Sequence, residues 1–288
     1  MAVGRDALFQ ICFAGIRALA RLVGPVSSWT WGVRAAMARA SRVEEQWAFV
    51  RNDLNAAAEP AVYHLRSGGT ALCIRHGTGD QHIFDEVFRR HVYDFPAPVL
   101  TALEAAGPQL QVVDLGGHVG FFGAYMRSRY PEARITAFEP DPESSALLER
   151  AIAENGAAES WSVTRACALN RDDEVDFTPG QNCLSRLESE SVRGTIRVPA
   201  VDVFPYLDGA DFVKLDIEGS EWPILADPRF AALGVKAAVL EYHPHMAPEA
   251  DARAAASRLL ESAGFDTMPI FHAPEGHGML WAWRRATD

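Results

Sequence analysis

The chain has 288 residues, of which 48% are hydrophobic and 23% charged, and its formal net charge is −11. This composition supports a packed core and excludes bulk disorder. The negative charge argues against a nucleic-acid binder, which needs Lys and Arg to neutralise phosphates. The four cysteines are scattered without a Cys-x-x-Cys pair. We expect them to be buried thiols in a reducing compartment, and we expect a cytoplasmic location.

The first 60 residues predict a helical N-terminal appendage. Within residues 1–24, polar residues at offsets of four, seven and four share one stripe of an amphipathic helix, which a Gly-Pro pair ends. The charges in it argue against a membrane span and against a signal peptide. A second helical stretch covers residues 27–58. We expect the apolar faces to pack on the rest of the chain or to build a homodimer.

Residues 61–95 predict a small β/α segment ahead of the core. The stretches "AVYHLR" and "TALCIR" alternate polar and apolar residues around "SGG", which is typical of a β-hairpin. The following "DEVFRRHVYDFP" predicts a helix that ends before Pro96.

Residues 96–288 alternate predicted strands and helices, which indicates an α/β fold with a mostly parallel, Rossmann-like sheet. Helices are predicted at residues 120–129, over "DPESSALLERAIAENG" and at residues 251–264. The predicted strands are "LQVVDLG", "ARITAFEP", "WSVTRACAL", "EVDFTP", "ADFVKLDIEGSE", "KAAVLEYHP", "FDTMPIF" and "GMLWAWR".

A glycine turn follows the first core strand, in "VVDLGGHVGFF". A dinucleotide site needs Gly-x-Gly-x-x-Gly, so that backbone amides reach a pyrophosphate at a helix N-terminus. The turn here has the spacing Asp-x-Gly-x-x-x-Gly, from Asp114 to Gly120, which is used for S-adenosylmethionine (SAM). Nineteen positions later, Glu139 ends the next strand, where an acid accepts ribose hydroxyls. The two sites together favour a nucleoside-containing ligand with a cationic amino-acid end.

The segments "VVDLGGHVGFF", "AFEPDP", "DFVKLDIEGSEWPIL" and "VLEYHP", in this order, resemble the FkbM-type SAM-dependent methyltransferases. The similarity runs from about Pro96 to the C-terminus, and "VKLDIEGSE" is its most specific part. It implies a class I methyltransferase fold with a seven-stranded sheet. It also implies O-methylation, with a sugar or a secondary metabolite as the hydroxylated small-molecule acceptor.

The resemblance also implies a set of cofactor-binding positions in this chain. His118 departs from the family pattern, which has a small or amide residue there. The positions are Asp114, Gly116, Gly117, His118 and Gly120 at the amino-acid end of SAM, Glu139 at the ribose, and Cys167 and Ala168 at the adenine.

The predicted strand in "ADFVKLDIEGSE" carries the predicted chemistry. Lys214 and Asp216 point to one face of "FVKLDIE", and a buried lysine needs an anionic partner. Methyl transfer to a hydroxyl needs alignment and removal of a proton. Asp216 and His243 are the candidate bases, one abstracting the proton and the other orienting it, and Lys214 completes the catalytic set. Glu221 begins the next helix, where its charge suits the helix dipole.

Other polar residues complete the predicted site. Asp80, Glu86, Tyr93 and Glu218 are expected to help enclose the acceptor. The acids around His243 also resemble a Mg²⁺ site, although we favour a site without metal. Two functions from other classes stay open: a SAM-binding scaffold without turnover, and a nucleotide-cofactor oxidoreductase.

Overall fold

The computed structural model describes residues 9–10, 12, 28–104, 106–179 and 195–284, apart from the side chains of residues 28–30. Most of the helix predicted over residues 1–24 lies outside these ranges. No helix in the described ranges is long and apolar enough to cross a membrane.

Two helices, α1 (Ser28–Ala40) and α2 (Gln46–Asp53), occupy the region in which the sequence predicts one long helical stretch. The prediction of continuity is wrong because the segment between them pairs with the neighbouring hairpin. Val43 forms an isolated antiparallel bridge with Leu65. The side chain of Glu45 accepts a hydrogen bond from the backbone N–H of His64 at 3.0 Å.

The predicted hairpin is confirmed as strands β1 (Ala61–His64) and β2 (Ala71–Ile74), which pair antiparallel. The helix that follows, α3 (Asp80–Asp85), continues as one turn of π-helix over Glu86–Arg90. His91 ends it with a φ of 57°, in the left-handed region.

The core contains the predicted alternation of strands and helices. Its helices are α4 (Ala97–Glu104), α5 (Phe121–Arg129), α6 (Pro142–Glu154), α7 (Phe204–Leu207), α8 (Glu221–Leu225), α9 (Pro228–Ala232) and α10 (Ala252–Ser262). Its strands are β3 (Gln111–Leu115), β4 (Arg134–Phe138), β5 (Trp161–Thr164), β6 (Cys167–Leu169), β7 (Asp173–Phe177), β8 (Ile196–Asp202), β9 (Phe212–Leu215), β10 (Ala237–Tyr242), β11 (Phe265–His272) and β12 (Gly278–Arg284).

In the described residues, seven strands form one sheet in the order β5-β4-β3-β9-β10-β12-β11. Strand β12 runs antiparallel to both of its neighbours, and the pairs from β5 to β10 are parallel. This confirms the predicted class I methyltransferase fold, a Rossmann-like α/β architecture. The chain order reverses between β3 and β9, and ligands bind at this point in open α/β sheets.

A small second sheet, in the order β6-β8-β7, differs from the sequence prediction. The sequence predicts "WSVTRACAL" as one strand, but Arg165 and Ala166 separate β5 in the large sheet from β6 in the small one. Strand β8 was not predicted, because Pro199 interrupts its apolar pattern and proline is unfavourable inside a sheet. Pro199 lies opposite Glu174 of β7.

Alternate residues of the central strands enter two apolar cores on opposite faces of the sheet, as the two-residue period of a strand requires. Val112 and Phe212 belong to one core, and Val113 and Val213 belong to the other. Trp161 is buried in the first core, where it lies against α5.

The contact between Gly123 of α5 and Trp161 predicts a steric limit. A Cβ atom at Gly123 would lie 2.3 Å from Cζ2 of the indole ring. We expect Gly123→Ala to lower the free energy of unfolding by about 1–3 kcal/mol, because overpacking outweighs the better helix propensity of alanine. Urea unfolding followed by circular dichroism measures the change.

Gly234→Ala is the matched control, because a Cβ atom at Gly234 would have no heavy atom within 4 Å. The control should match the wild type in stability. A Gly123→Ala variant that is more stable than the wild type would show that helix propensity dominates and would contradict this packing.

Candidate active site

A cavity of about 400 Å³ opens at the carboxyl ends of β3 and β9, where the chain order reverses. Its size suits a small-molecule site. The glycine turn borders it on one side and the π-helical turn on another. The polar residues that line it include Glu86, Tyr93, His118, Lys214, Asp216, Glu218, Glu241 and His243.

The glycine turn has its shape because two strand ends approach closely. Gly116 has a φ of 88°, and a Cβ atom there would lie 1.9 Å from the backbone oxygen of Asp216. Gly120 has a φ of 91°, and a Cβ atom there would lie 2.5 Å from the side chain of Leu148. Only glycine fits both positions without strain. Contacts within the chain therefore account for these glycines before any ligand is considered.

Lys214 connects the two strands beneath the cavity. Its ammonium donates to the backbone oxygen of Gly116 at 2.9 Å. It also lies 3.4 Å from Asp114 Oδ1 and 3.2 Å from Asp216 Oδ2. Burial opposes the charge of Lys214, but Asp216 and Asp114 raise its pKa above the usual value. The lysine is therefore charged and held by the anionic partners that the sequence requires.

Asp114 is a buried carboxylate that could accept further hydrogen bonds. It is 1% exposed and does not line the cavity, and its contact with a described donor group is the 3.4 Å ion pair between Oδ1 and the Lys214 ammonium. Burial raises its pKa to about 6, although Lys214 acts in the opposite direction. One long ion pair leaves most lone pairs of this buried carboxylate unused, so a cationic ligand group beside it would be stabilising.

Glu139 fixes the backbone of the turn. Its Oε2 accepts from the backbone N–H of His118 at 2.7 Å, and its Oε1 accepts from that of Asp141 at 2.8 Å. Burial raises the pKa of Glu139. Each oxygen retains a further lone pair, so the carboxylate can still accept a hydroxyl.

His118 belongs to a buried ionic cluster that supports the turn from outside the core. Its φ is 49°, and its Nε2 lies 3.0 Å from the guanidinium of Arg75 and 3.3 Å from Asp80. Arg75 donates to both oxygens of Asp80, at 3.0 and 2.9 Å. Burial opposes the charge of Asp80, but His118 and Arg75 lower its pKa below the usual value.

Asp216, Glu241 and His243 meet across the cavity floor. Each offers one atom that could bind a metal ion, and these atoms lie within 4.8 Å of one another. Lys214 already occupies one side of Asp216. Burial and the charge of Asp216 raise the pKa of Glu241 to about 8.

His243 is 8% exposed and closely surrounded by acids. Its Nδ1 lies 3.2 Å from Glu221 Oε1, and its Nε2 lies 3.4 Å from Glu218 Oε2. Burial opposes its charge, but the bond to Glu221 and the charge of Glu218 raise its pKa to about 9.

The methyltransferase FkbM domain family matches residues 114–267, which is more than half of the chain. The chain belongs to the FkbM methyltransferase domain family. It is therefore a methyltransferase. The resemblance stated from the sequence motifs is confirmed.

Curated relatives of this FkbM methyltransferase carry the same activity in their names. The chain is 28% identical over 247 residues to methyltransferase sdnD of Sordaria araneosa, covering 71% of this chain and 90% of that protein. It is 27% identical over 142 residues to methyltransferase 1 of Beauveria bassiana, covering 40% of this chain and 56% of that protein.

Solved structures with a related fold are more distant. TYW2 from P. horikoshii, solved in complex with MeSAdo, is 14% identical, with a TM-score of 0.41, covering 78% of this chain and 72% of that chain. The O-methyltransferase TomG from Streptomyces achromogenes, solved with SAM, is 14% identical, with a TM-score of 0.39, covering 67% of this chain and 81% of that chain.

The structure of the FkbM methyltransferase places nine of the fifteen predicted site residues on the cavity wall and six away from it. Asp114, Gly120 and Glu139 do not line the cavity, although Asp114 and Glu139 are buried next to the glycine turn. Asp80 is fully buried against Arg75 and does not line the cavity. Cys167 and Ala168 are buried in β6 of the small sheet and do not line it either. The other predicted catalytic and acceptor residues do line it.

Arg75, which contacts Asp80 and His118 beside the glycine turn, was not singled out in the sequence analysis. The only local signal for it is "CIRHGTGD", a charged residue directly after a buried strand. Its partners lie 5 and 43 positions away in the chain, so no periodicity reveals the cluster.

The Arg75–Asp80 pair predicts that a single substitution in it strongly lowers the stability of the fold. We expect Asp80→Asn to lower the free energy of unfolding by about 3–5 kcal/mol at pH 7, because breaking a buried pair leaves the other charge uncompensated. The pKa of Asp80 in the folded protein lies below its ordinary value of 3.8. The ion pair therefore stabilises the fold fully above pH 3.8, and this stabilisation is lost as the pH falls below 3.8 and through the folded-state pKa.

Guanidinium unfolding at several pH values measures both effects. Glu249→Gln is the control, because Glu249 pairs with Arg258 on the surface, and it should leave stability unchanged. Equal stability of Asp80→Asn and the control would show that the cluster does not support the fold.

Proposed function

We propose that this methyltransferase takes its methyl group from SAM and delivers it to a hydroxyl of a sugar or a secondary metabolite. The observation that carries the proposal is the position of Asp114, a buried carboxylate beside the glycine turn whose contact with a described cation is one 3.4 Å ion pair with Lys214, which Asp216 shares. Its carboxylate fits the ammonium end of SAM, and the spare lone pairs of Glu139 fit a ribose hydroxyl. SAM supplies an activated methyl group on a positively charged sulfur.

The chain's own residues supply alignment and proton removal. Lys214 holds Asp216 at the end of β9 and so fixes the cavity floor. Tyr93 and Glu86, from the segment ahead of the core, also line the cavity. A hydroxyl acceptor must lose a proton, and imidazole and carboxylate groups line the space in which it would lie. These features support an oxygen acceptor.

Calorimetric titration with SAM, with NAD as the control ligand, tests the donor. Transfer of labelled methyl from SAM to panels of hydroxylated, amine and thiol acceptors tests the acceptor class. Micromolar SAM binding and transfer to hydroxyls support the proposal. NAD binding without SAM binding, or transfer to amines or thiols alone, would overturn it, and SAM binding without any transfer would favour the scaffold function.

Asp114 predicts how SAM affinity depends on pH. Because its pKa is raised to about 6, the carboxylate loses its charge as the pH falls through that value. We expect SAM to bind more weakly at pH 5 than at pH 7.5. Asp114→Asn should bind SAM roughly ten- to a hundred-fold more weakly at pH 7.5 and should lose this pH dependence, because a charged hydrogen bond is removed.

Calorimetry at both pH values measures the effect, and Asp208→Asn is the control. Asp208 is exposed and does not line the cavity. An Asp114→Asn variant with wild-type affinity would show that SAM does not use this carboxylate.

A further inference from the structure

Glu221 is a fully buried carboxylate that the proposed function does not use. It is 0% exposed, at the first position of α8. The sequence analysis attributes its position to the helix dipole, but α8 has only five residues and the side chain turns inward. Complete burial of a carboxylate requires specific partners, since the desolvation cost is high. Its partners define its role.

The carboxylate of Glu221 connects the turn after β9 with the end of β10. Its Oε2 accepts from the backbone N–H of Gly219 at 2.7 Å. Its Oε1 accepts from the backbone N–H of His243 at 2.9 Å and lies 3.2 Å from Nδ1 of the same residue. One oxygen thus contacts both the backbone and the ring of His243, which fixes the ring relative to its own strand.

The other ring nitrogen of His243 faces the cavity. Nε2 lies 3.4 Å from Glu218 Oε2 and 4.0 Å from Glu241 Oε1, and His243 is one of the cavity-lining residues. An ionised carboxylate only accepts hydrogen bonds, so Nδ1 must carry a hydrogen towards Glu221. In the neutral ring, the lone pair then lies on Nε2.

We propose that Glu221 is a positioning residue for His243, holding its Nδ1 as N–H so that Nε2 accepts the proton of the acceptor hydroxyl. This inference rests on the proposed function. In the step, the O–H bond of the acceptor breaks, the proton bonds to Nε2, and the electron pair stays on the oxygen. The resulting imidazolium is stabilised by the carboxylate of Glu221 at Nδ1.

Asp216 is less suited to accept this proton. Burial opposes its charge, but Lys214 and His243 lower its pKa below the usual value for an aspartate. A carboxylate held ionised by a buried ammonium is a weak base. Its place in the step is to keep Lys214 and the end of β9 in position.

The charges around His243 determine the pH at which it works. Glu221 and Glu218 contact the ring, Glu241 lies just beyond Nε2, and Asp216 and Lys214 lie on the neighbouring strand end. Its pKa is raised to about 9, so the neutral fraction of the ring grows as the pH rises towards 9. The value of kcat/KM should therefore rise over this range.

Nuclear magnetic resonance of labelled histidine tests the positioning without any assay of activity. In the wild type we expect the neutral His243 ring to carry its hydrogen on Nδ1. Glu221→Gln should lower the pKa of His243 by one unit or more and reduce the Nδ1–H form. Glu218→Gln, the matched control, removes a charge near Nε2 and should leave the Nδ1–H form in place.

Kinetics test the proton step. Glu221→Gln should lower kcat roughly ten- to a hundred-fold, as expected for loss of a supporting carboxylate. The rise of kcat/KM should move to lower pH, while SAM affinity stays unchanged. Glu221→Asp keeps the charge, so His243 should retain a raised pKa while kcat falls, and this variant also serves if Glu221→Gln does not fold.

Three results would overturn the inference. The first is an unchanged tautomer and pKa of His243 in Glu221→Gln. The second is an unchanged pH profile in that variant. The third is loss of wild-type activity in EDTA with recovery in Mg²⁺, because a metal-bound Nε2 cannot accept the proton. Failure of SAM binding or transfer in the wild type would instead overturn the proposed function. The tautomer of His243 measured by magnetic resonance does not depend on SAM binding or activity, so the two failures are distinguishable.

Discussion

The site depends on the ion pairs that the buried ammonium of Lys214 forms. A charge at this depth is stable only if anionic groups surround it, and both neighbouring strand ends supply one, Asp114 from β3 and Asp216 from its own strand. The backbone N–H of Asp216 donates to the backbone oxygen of Leu115 at 3.1 Å, and the strand ends are so close that Gly116 has no room for a side chain. The ion pairs and the need for glycine thus occur at the same close approach of two paired strands.

The segment ahead of the core is part of the site's support. Tyr63 and Phe84 belong to the same apolar core as Phe121 of α5. From this segment, Arg75 reaches His118 and holds the turn that Glu139 holds from the other side. The turn is therefore fixed by two independent contacts, and its left-handed residue is kept in place by the surrounding structure.

The sequence predicted the central fold because hydrophobic periodicity records which faces are buried. It failed where a tertiary contact overrides a local pattern. The bridge from Val43 to Leu65 breaks a stretch of good helix formers, and Pro199 hides β8. Site residues at strand ends were found because their position follows from the sheet. Arg75 was not found, since its partners lie in distant parts of the chain.

The protonation states of the site could not be predicted from residue types. Glu241 and Asp216 are both carboxylates, yet burial and a neighbouring charge raise the pKa of the first to about 8, while Lys214 lowers that of the second. His243, with its pKa raised to about 9, lies beside them. Lys214 thus favours the charged form of Asp216, while the pKa values of Glu241 and His243 lie above their ordinary values. Only the folded arrangement creates this difference between two carboxylates.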